Sequence, residues 1–144
     1  MKPDILLVED NTDEVDLAMR VLAKEVPKCR VTRVSDGVEA LDYLAGEEST
    51  SLPKVIFLDL KLPRLNGLEV LRVIKSDLRT RNIPVVIMTS SLEQRDVIDC
   101  YTLGANSYIV KPIDFREYFK VIANIARYWL AFNQPLPQPI WTLG

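Results

Sequence analysis

The sequence predicts an α/β domain built on one open sheet of five parallel strands, with helices covering both faces. Two observations support this prediction. Short continuous apolar runs, which are typical of strands buried on both faces, recur along the chain. Between them lie longer segments in which apolar residues return at helical spacing, and such alternation indicates parallel strands joined by helical crossovers.

Five apolar runs define the strands. They occupy residues 5–8, 31–34, 55–58, 85–88 and 108–110, and the second is the weakest. Pro27, Pro53 and Pro84 fall between the predicted elements, where proline is tolerated because it interrupts no helix and no sheet hydrogen bond. The runs therefore predict a sheet with five strands.

Four of the helical segments open with a capping box, in which a short acceptor side chain is followed three residues later by Glu or Gln. The pairs are Asn11 with Glu14, Asp36 with Glu39, Ser91 with Gln94, and Asp114 with Glu117. A further segment repeats Leu68, Leu71 and Ile74 at helical spacing. These signals predict five helices, one after each strand.

The chain length predicts one domain over residues 1–131, followed by a tail. A chain of 144 residues fits one domain of common size and can bury a full core without disulfides or metals. The segment 132–144 contains Pro135, Pro137 and Pro139 and is too short to form a second domain. We therefore expect no separate output domain.

Composition excludes several classes of function. Lys plus Arg number 18 and Asp plus Glu 20, so the net charge of −2 gives no support to nucleic-acid binding. No apolar stretch is long enough to cross a bilayer, and we find no secretory signal. Cys29 and Cys100 lack metal-ligand spacing and indicate a reduced, cytoplasmic protein. The absence of histidine excludes histidine-based catalysis and a phosphohistidine carrier.

The ends of the apolar runs carry the informative polar residues. They are Glu9 and Asp10 after the first run, Asp59 after the third, Thr89 after the fourth and Lys111 after the fifth. In an open α/β sheet, ligands bind beyond the carboxyl ends of the parallel strands. The sequence therefore places three carboxylates, a hydroxyl and an ammonium group in one cleft.

This set of side chains suits phosphoryl chemistry. Crowded carboxylates need a cation, and oxygen ligands favour Mg²⁺, for which Mn²⁺ or Ca²⁺ can substitute. A carboxylate is also a nucleophile toward phosphorus, while a lysine and the metal neutralise charge on the phosphoryl oxygens. Taken singly, Asp59 could be a helix cap and Thr89 a packing residue; their combination favours the chemistry.

The motifs around these residues resemble the receiver domain of bacterial response regulators, from about residue 4 to about residue 130. They are LVEDN at 7–11, LDLKLP at 58–63 with NG at 66–67, MTS at 88–90, and GANSYIVKP at 104–112. Each motif is weak alone, but all four in this order are highly specific. The resemblance implies a flavodoxin-like (βα)₅ fold, doubly wound, with strand order 2-1-3-4-5.

The resemblance also implies a role for each cleft residue. Asp59 is the expected phosphoacceptor, and Glu9 and Asp10 hold Mg²⁺ together with Asp59 and the main-chain carbonyl of Lys61. The remaining expected roles are the switch hydroxyl at Thr89, the switch aromatic at Tyr108 and the phosphate-binding lysine at Lys111, whose bond to Pro112 is cis in the family. A tyrosine at a strand edge also has a packing interpretation.

Two positions are expected to tune how long the phosphorylated state lasts. In the family these lie two residues after the acceptor and two after the switch hydroxyl, which are Lys61 and Ser91 here. The residues around 27–29, 90–96 and 128–135 further resemble the small regulators that partner bacterial phytochrome histidine kinases. We therefore expect a sensor histidine kinase as partner, for which this resemblance favours the phytochrome class, and an unknown protein downstream.

Other functions are weighed against the phosphorylation switch. A constitutive interaction module would bind its partner regardless of phosphate, but no cleft residue is missing. A phosphatase would resemble Asp-x-Asp at the acceptor, where this chain has Lys61, so we do not expect a turnover enzyme. We expect a homodimer through the face of the fourth and fifth helices. The candidate residues for that face are Tyr108, Phe115, Tyr118 and Phe119.

Overall fold

The structure, a computed structural model, describes residues 4–46 and 52–137 and contains every predicted strand and helix. The strands are β1 Ile5–Val8, β2 Val31–Val34, β3 Val55–Leu58, β4 Val85–Thr89 and β5 Ser107–Val110. The helices are α1 Thr12–Glu25, α2 Gly37–Gly46, α3 Gly67–Ser76, α4 Gln94–Thr102 and α5 Phe115–Arg127, the last followed by a π-helical turn, Tyr128–Phe132.

The five strands form one parallel sheet in the order β2-β1-β3-β4-β5. The predicted fold class and strand order are therefore confirmed. In this register Val8 of β1 pairs with Val34 on one side and with Leu58 on the other. The carboxyl ends of these three strands consequently lie level, and the residues that follow them emerge at one edge of the sheet.

Alternating strand residues build two hydrophobic cores, one on each face of the sheet. Leu6 and Ile56 point to the face covered by α2, α3 and α4, while Ile5 and Phe57 point to the face covered by α1 and α5. All four side chains are buried. Because both faces are covered, the central strands β1 and β3 are continuously apolar and fully buried, which is the pattern that predicted them.

Three of the four predicted capping boxes provide the expected acceptor at the start of a helix. The side chains of Asn11, Asp36 and Asp114 accept hydrogen bonds from backbone N–H groups of α1, α2 and α5. The fourth prediction is wrong, because α4 begins at Gln94 with Glu93 as its N-cap and no side-chain cap hydrogen bond. A capping side chain that we missed is Asn66, which accepts from the Glu69 N–H at the start of α3.

Lys75 forms hydrogen bonds near the amino ends of β4 and β5. The Lys75 ammonium donates to the carbonyls of Arg81 and Ile83 at 2.9 and 2.8 Å and to the Asn106 side chain at 3.0 Å. The Asn106 side-chain oxygen also accepts from the Val85 N–H at 2.9 Å. Burial lowers the pKa of Lys75 to about 8. One side chain thus connects α3, the turn before β4, and the start of β5.

The helical structure at the C-terminal end extends one residue beyond the predicted domain boundary. Phe132, which the sequence analysis assigned to the tail, is the last residue of the π-helical turn, and Asn133 donates its N–H to the Tyr128 carbonyl at 2.7 Å. The rings of Tyr128 and Trp129 meet edge to face with centroids 4.9 Å apart. Within the described ranges, no helix combines the length and apolar character needed to cross a membrane.

Candidate functional site

The predicted cleft residues meet at the carboxyl edge of the sheet. Glu9 donates its backbone N–H to the Val34 carbonyl, and Asp59 donates its own to the Val8 carbonyl, each at 3.1 Å. These bonds continue the sheet ladders past the ends of the strands. The backbone leading to the two carboxylates is therefore as well fixed as the sheet itself.

Three carboxylates stand close enough to hold one metal ion. Glu9, Asp10 and Asp59 each offer an oxygen, and these oxygens lie within 4.8 Å of one another. Glu9 and Asp59 are buried, whereas Asp10 is exposed. An all-oxygen set with one side open to solvent suits a hard divalent cation that retains water ligands, as Mg²⁺ does. The residues present thus fit the expected group.

Lys111, which follows β5, contacts two of these carboxylates and a further one on α1. The Lys111 ammonium lies 2.5 Å from Glu9 Oε1, 2.6 Å from Glu14 Oε2 and 3.1 Å from Asp59 Oδ2. Burial alone would lower the pKa of Lys111, but hydrogen bonds to Glu14 and Glu9 and the charge of Asp59 raise it above its ordinary value. Lys111 is therefore a permanent cation beside the expected acceptor.

The electrostatics of Glu9 reflect its depth in the cleft. Burial raises the pKa of Glu9 to about 8, against the hydrogen bond from Lys111, which lowers it, and the charge of Asp59 raises it further. A buried carboxylate resists ionisation unless a positive charge lies nearby. The raised pKa of Glu9 therefore reflects chiefly its burial, and a metal ion bound beside it would favour its ionised form.

Two residues that organise the cleft, Glu14 and Arg33, are not among those predicted for it from the sequence. Glu14 was assigned only to a capping box, yet its carboxylate contacts Lys111, 97 residues away in the sequence. Arg33 of β2 donates from Nε to the Glu9 carbonyl at 3.0 Å and from Nη2 to the Asp10 carbonyl at 3.4 Å. The available signal for Arg33 was a charged residue one position before the end of the second predicted strand.

The loop after Asp59 turns back on itself beside the cleft. Asp59 Oδ1 accepts the Lys61 N–H at 3.2 Å, and Gly67 donates its N–H to the Leu60 carbonyl at 2.8 Å. Arg64 has a positive φ of 65°, which is rare for a residue with a side chain, and its guanidinium pairs with Asp36 at the start of α2. The loop is thereby held between α2 and α3.

The predicted switch residues form a chain of contacts at the end of β4. Thr89 is fully buried, and its hydroxyl accepts the Ser91 N–H at 3.3 Å. The Tyr108 hydroxyl donates to the Ser91 carbonyl at 3.0 Å, and the Ser91 hydroxyl lies 2.5 Å from Asp96 Oδ2 on α4. Burial raises the pKa of Tyr108, so its phenol keeps its proton. Ser91 thus connects Thr89, Tyr108 and α4.

The four aromatic residues predicted for a dimer face occupy different environments. Phe115 is 64% exposed and Tyr108 is partly exposed, but Tyr118 is only 6% exposed and packs in the core between α5 and the sheet. Phe119 turns toward α1, where the Lys24 ammonium lies 5.5 Å from its ring centre. Tyr118 is therefore removed from the candidate surface, because a core side chain cannot contact a second molecule.

Comparison with known proteins agrees with this geometry. The family described as the response regulator receiver domain matches residues 5–123. Among curated relatives, the probable methanogenesis regulatory protein FilR2 of Methanothrix harundinacea is 41% identical over 132 residues, which cover 90% of this chain and 85% of that protein. Response regulator Rcp1 of Synechocystis is 37% identical over 129 residues, which cover 88% of each protein.

Two solved structures have the same fold. The phosphorylated cyanobacterial phytochrome response regulator RcpA superposes with a TM-score of 0.88 at 36% identity, covering 95% of this chain and 100% of that one. The Mn²⁺-bound form of response regulator Rcp1 superposes with a TM-score of 0.85 at 32% identity, covering 94% and 100%. The chain belongs to the response regulator receiver domain family. It is similar in particular to phytochrome response regulators within that family.

Proposed function

We propose that this protein is a phosphorylation switch in which Asp59 accepts a phosphoryl group from the phosphohistidine of a sensor kinase. The observation that carries the proposal is the convergence on Asp59 of one lysine and two further acidic side chains, from three separate strand ends. That convergence supplies a nucleophile together with the charges that phosphoryl transfer requires.

The transfer step uses the chain's own groups in defined roles. An Asp59 oxygen forms the bond to phosphorus while the phosphorus–nitrogen bond of the kinase breaks, and the electron pair stays on the imidazole nitrogen, which takes up a proton. Lys111, 3.1 Å from Asp59 Oδ2, is within reach of the incoming phosphoryl oxygens. Glu9, Asp10 and Asp59, together with the Lys61 carbonyl, would hold Mg²⁺, which would supply positive charge to neutralise the phosphoryl oxygens.

The signal leaves the site through Thr89 and Tyr108. We infer that the phosphoryl group attracts the Thr89 hydroxyl, which weakens its present contact with the Ser91 N–H. Ser91 also accepts the Tyr108 hydroxyl, so a shift of Ser91 changes the position of Tyr108 and of α4 together. The result is a shift of population between two arrangements of the surface formed by α4, β5 and α5.

Labelling with acetyl phosphate and Mg²⁺ tests the acceptor. Wild-type protein should gain the mass of one phosphoryl group, and the modified peptide should contain Asp59. Asp59→Asn should gain none, because an amide is not a nucleophile toward phosphorus. Asp42→Asn, which removes an exposed carboxylate on α2, is the matched control and should label normally. Labelling of Asp59→Asn at wild-type rate would refute the assignment.

The partner kinase that we propose belongs to the phytochrome class. The support is the similarity to RcpA, a phytochrome response regulator, over nearly the whole of both chains. The two free cysteines fit the reducing cytoplasm, where such a kinase domain would be met. Phosphotransfer from purified phytochrome kinases should label Asp59 faster than transfer from kinases of other sensory classes. Equal rates would argue against a specific pairing.

The lifetime of the phosphorylated state is proposed to depend on Lys61. Its side chain is exposed beside the acceptor, while its N–H is bound to Asp59. The side chain can shield the phosphoryl group from water, and Ser91, at the second tuning position, is buried. Lys61→Ala should therefore hydrolyse faster than wild type when the loss of phosphoryl label is followed over time. An unchanged rate would remove this role.

The output is proposed to be a protein contact, including a homodimer, through the face of α4, β5 and α5. Large apolar side chains exposed there support it: Leu92, Ile98, Tyr101, Ile113 and Phe115. Such a patch is typical of an interaction surface. Sedimentation should show a dimer that Ile113→Asp disrupts and Leu78→Asp, an exposed control after α3, does not. A dimer that forms equally in Asp59→Asn would favour a constitutive interaction module.

A further inference from the structure

One carboxylate that binds Lys111 lies outside the group that can hold a metal ion. An ammonium group has three N–H donors, and those of Lys111 face Glu9, Glu14 and Asp59. Glu9 and Asp59 also belong to the acidic trio whose oxygens lie within 4.8 Å of one another, whereas Glu14 does not. Two of the three partners of the lysine are therefore shared with the expected cation.

Lys111 and the expected cation both need the carboxylates of Glu9 and Asp59. The Lys111 side chain is only 7% exposed, so its charge must be paired with carboxylates rather than with water. A divalent cation on Glu9 and Asp59 takes oxygens that now accept from the lysine, and it also repels the ammonium group. Without a separate partner, Lys111 and the cation would compete for the same two carboxylates.

Glu14 has the properties that such a partner needs. Its carboxylate lies 2.6 Å from the Lys111 ammonium, and its side chain is 34% exposed, so it contacts the lysine from the solvent side of the cleft. Its backbone N–H donates to Asn11 Oδ1 at 3.1 Å, which fixes the residue in the first turn of α1. A negative charge at that end of a helix is also favoured by the helix dipole.

We propose that Glu14 is a positioning residue that keeps Lys111 in the cleft while Glu9 and Asp59 turn to the cation. The inference rests on the proposed function, since it assigns the metal and the lysine to one site. In this arrangement Glu14 is the carboxylate that allows both positive charges to remain bound. Its loss leaves Lys111 on Glu9 and Asp59, where it weakens cation binding.

A double-mutant cycle read out by calorimetric titration with Mg²⁺ tests this role. Glu14→Gln should weaken Mg²⁺ affinity roughly tenfold, the lower end of what loss of a residue that orients metal ligands costs. In a Lys111→Met background, the same change should weaken it less than about twofold, since no ammonium then competes. Glu14→Asp, which keeps the charge but shortens the reach, should fall between wild type and Glu14→Gln.

The matched control is Asp13→Asn, which removes an exposed carboxylate from the same helical turn. It should change Mg²⁺ affinity less than about twofold, as a general effect of charge would. Circular dichroism of each variant establishes that it is folded before titration. If Glu14→Gln does not fold, the comparison of Glu14→Asp with Asp13→Asn decides the question.

Equal weakening by Glu14→Gln with and without Lys111 would overturn the proposal, because it would show only a general effect of charge. An unchanged affinity, or a wild-type protein that binds no Mg²⁺, would overturn it as well. Labelling of wild type by acetyl phosphate separates the two hypotheses. A labelled Asp59 without coupling of Glu14 to Lys111 refutes this inference alone, whereas coupling without any labelled Asp59 refutes the proposed function.

Discussion

Gly67 allows the close packing of the loop that follows Asp59, because it has no side chain. A Cβ atom there would lie 2.4 Å from the Asp59 carbonyl oxygen and 2.5 Å from the Leu60 Cα. Both contacts are with backbone atoms, which cannot move aside without displacing Asp59. Gly67→Ala should therefore lower the free energy of unfolding by about 1–3 kcal/mol or more, as overpacking does.

Urea titration of Gly67→Ala beside Gly46→Ala measures this cost. A Cβ atom at Gly46 would meet nothing within 4 Å, so the same change near the end of α2 should be neutral or slightly stabilising. Acetyl phosphate labelling of the folded Gly67→Ala fraction should also be slower, because the loop carries Asp59. Equal stability of the two variants would contradict the steric argument.

The two thiols should be nearly inert in the folded protein. Burial raises the pKa of Cys29 and of Cys100 to about 11, above the ordinary value near 9. The thiolate is the reactive form, so at pH 8 alkylation should be about a hundredfold slower than in the urea-unfolded chain, and should accelerate as pH rises. Iodoacetamide followed by mass spectrometry measures this; alkylation at the unfolded rate would contradict it.

At the scale of single residues, the sequence predicts well which side chains enter the cleft. It predicts less well which groups those side chains contact. Asp59 and Lys111 stand at strand ends, and parallel strands bring those ends to one edge. Glu14 also satisfies a local capping pattern, but its carboxylate contacts Lys111, while the Asn11 N–H, the usual partner of the glutamate in a capping box, donates to Glu9. Local spacing does not reveal a contact that depends on folding across 97 residues.

At the scale of elements, the helix starts differ in how much their caps contribute. Asp114 accepts from two backbone N–H groups of α5, whereas Glu93, at the same position before α4, makes no such bond. Asp114→Ala should lower the free energy of unfolding by about 1 kcal/mol, the usual cost of losing an N-cap acceptor. Glu93→Ala should change it by less than about 0.5 kcal/mol, as exposed positions generally do.

Thermal and urea unfolding of these two variants gives the comparison directly. Both substitutions remove one negative charge near a helix start, so the general effect of charge cancels between them. The difference that remains measures the hydrogen bonds of Asp114. Equal losses of stability would mean that charge, not capping, stabilises these two helix starts.

The helix boundary that the sequence did not predict has a local physical cause. Ser91 and Gln94 match the capping pattern. The Ser91 hydroxyl, however, contacts the Asp96 carboxylate, and the Ser91 backbone N–H donates to the Thr89 hydroxyl. Those contacts hold Ser91 against the end of β4, so α4 begins only at Gln94. A capping motif that directly follows the end of a strand has competing partners, and pattern matching cannot rank them.

At the scale of the whole molecule, cation binding should be visible as stability. A ligand that binds only the folded state stabilises it by RT ln(1 + [L]/Kd), which is about 2.7 kcal/mol when the ligand is at one hundred times its Kd. Saturating Mg²⁺ should therefore raise the melting temperature, and EDTA should reverse the rise. Asp10→Asn, which removes the exposed ligand of the trio, should reduce the increase.

The same melting experiment contains its own control. Asp42→Asn removes an exposed carboxylate on α2 and should leave the Mg²⁺ response unchanged. Potassium chloride at matched ionic strength separates specific binding from general screening of the acidic surface. A rise that is equally large with potassium chloride would contradict a discrete cation site.

The wide spacing of the strand-end residues has a consequence for protein synthesis. Glu9 and Lys111 touch in the folded molecule, yet 102 residues separate them, and β5, which precedes Lys111, pairs with β4 alone. A chain still emerging from the ribosome can therefore contain Glu9, Asp10 and Asp59 while it lacks Lys111. A chain that has not yet reached residue 111 cannot form the contacts of Lys111 with Glu9 and Asp59, so the arrangement of charges in the cleft is complete only after β5 has been made.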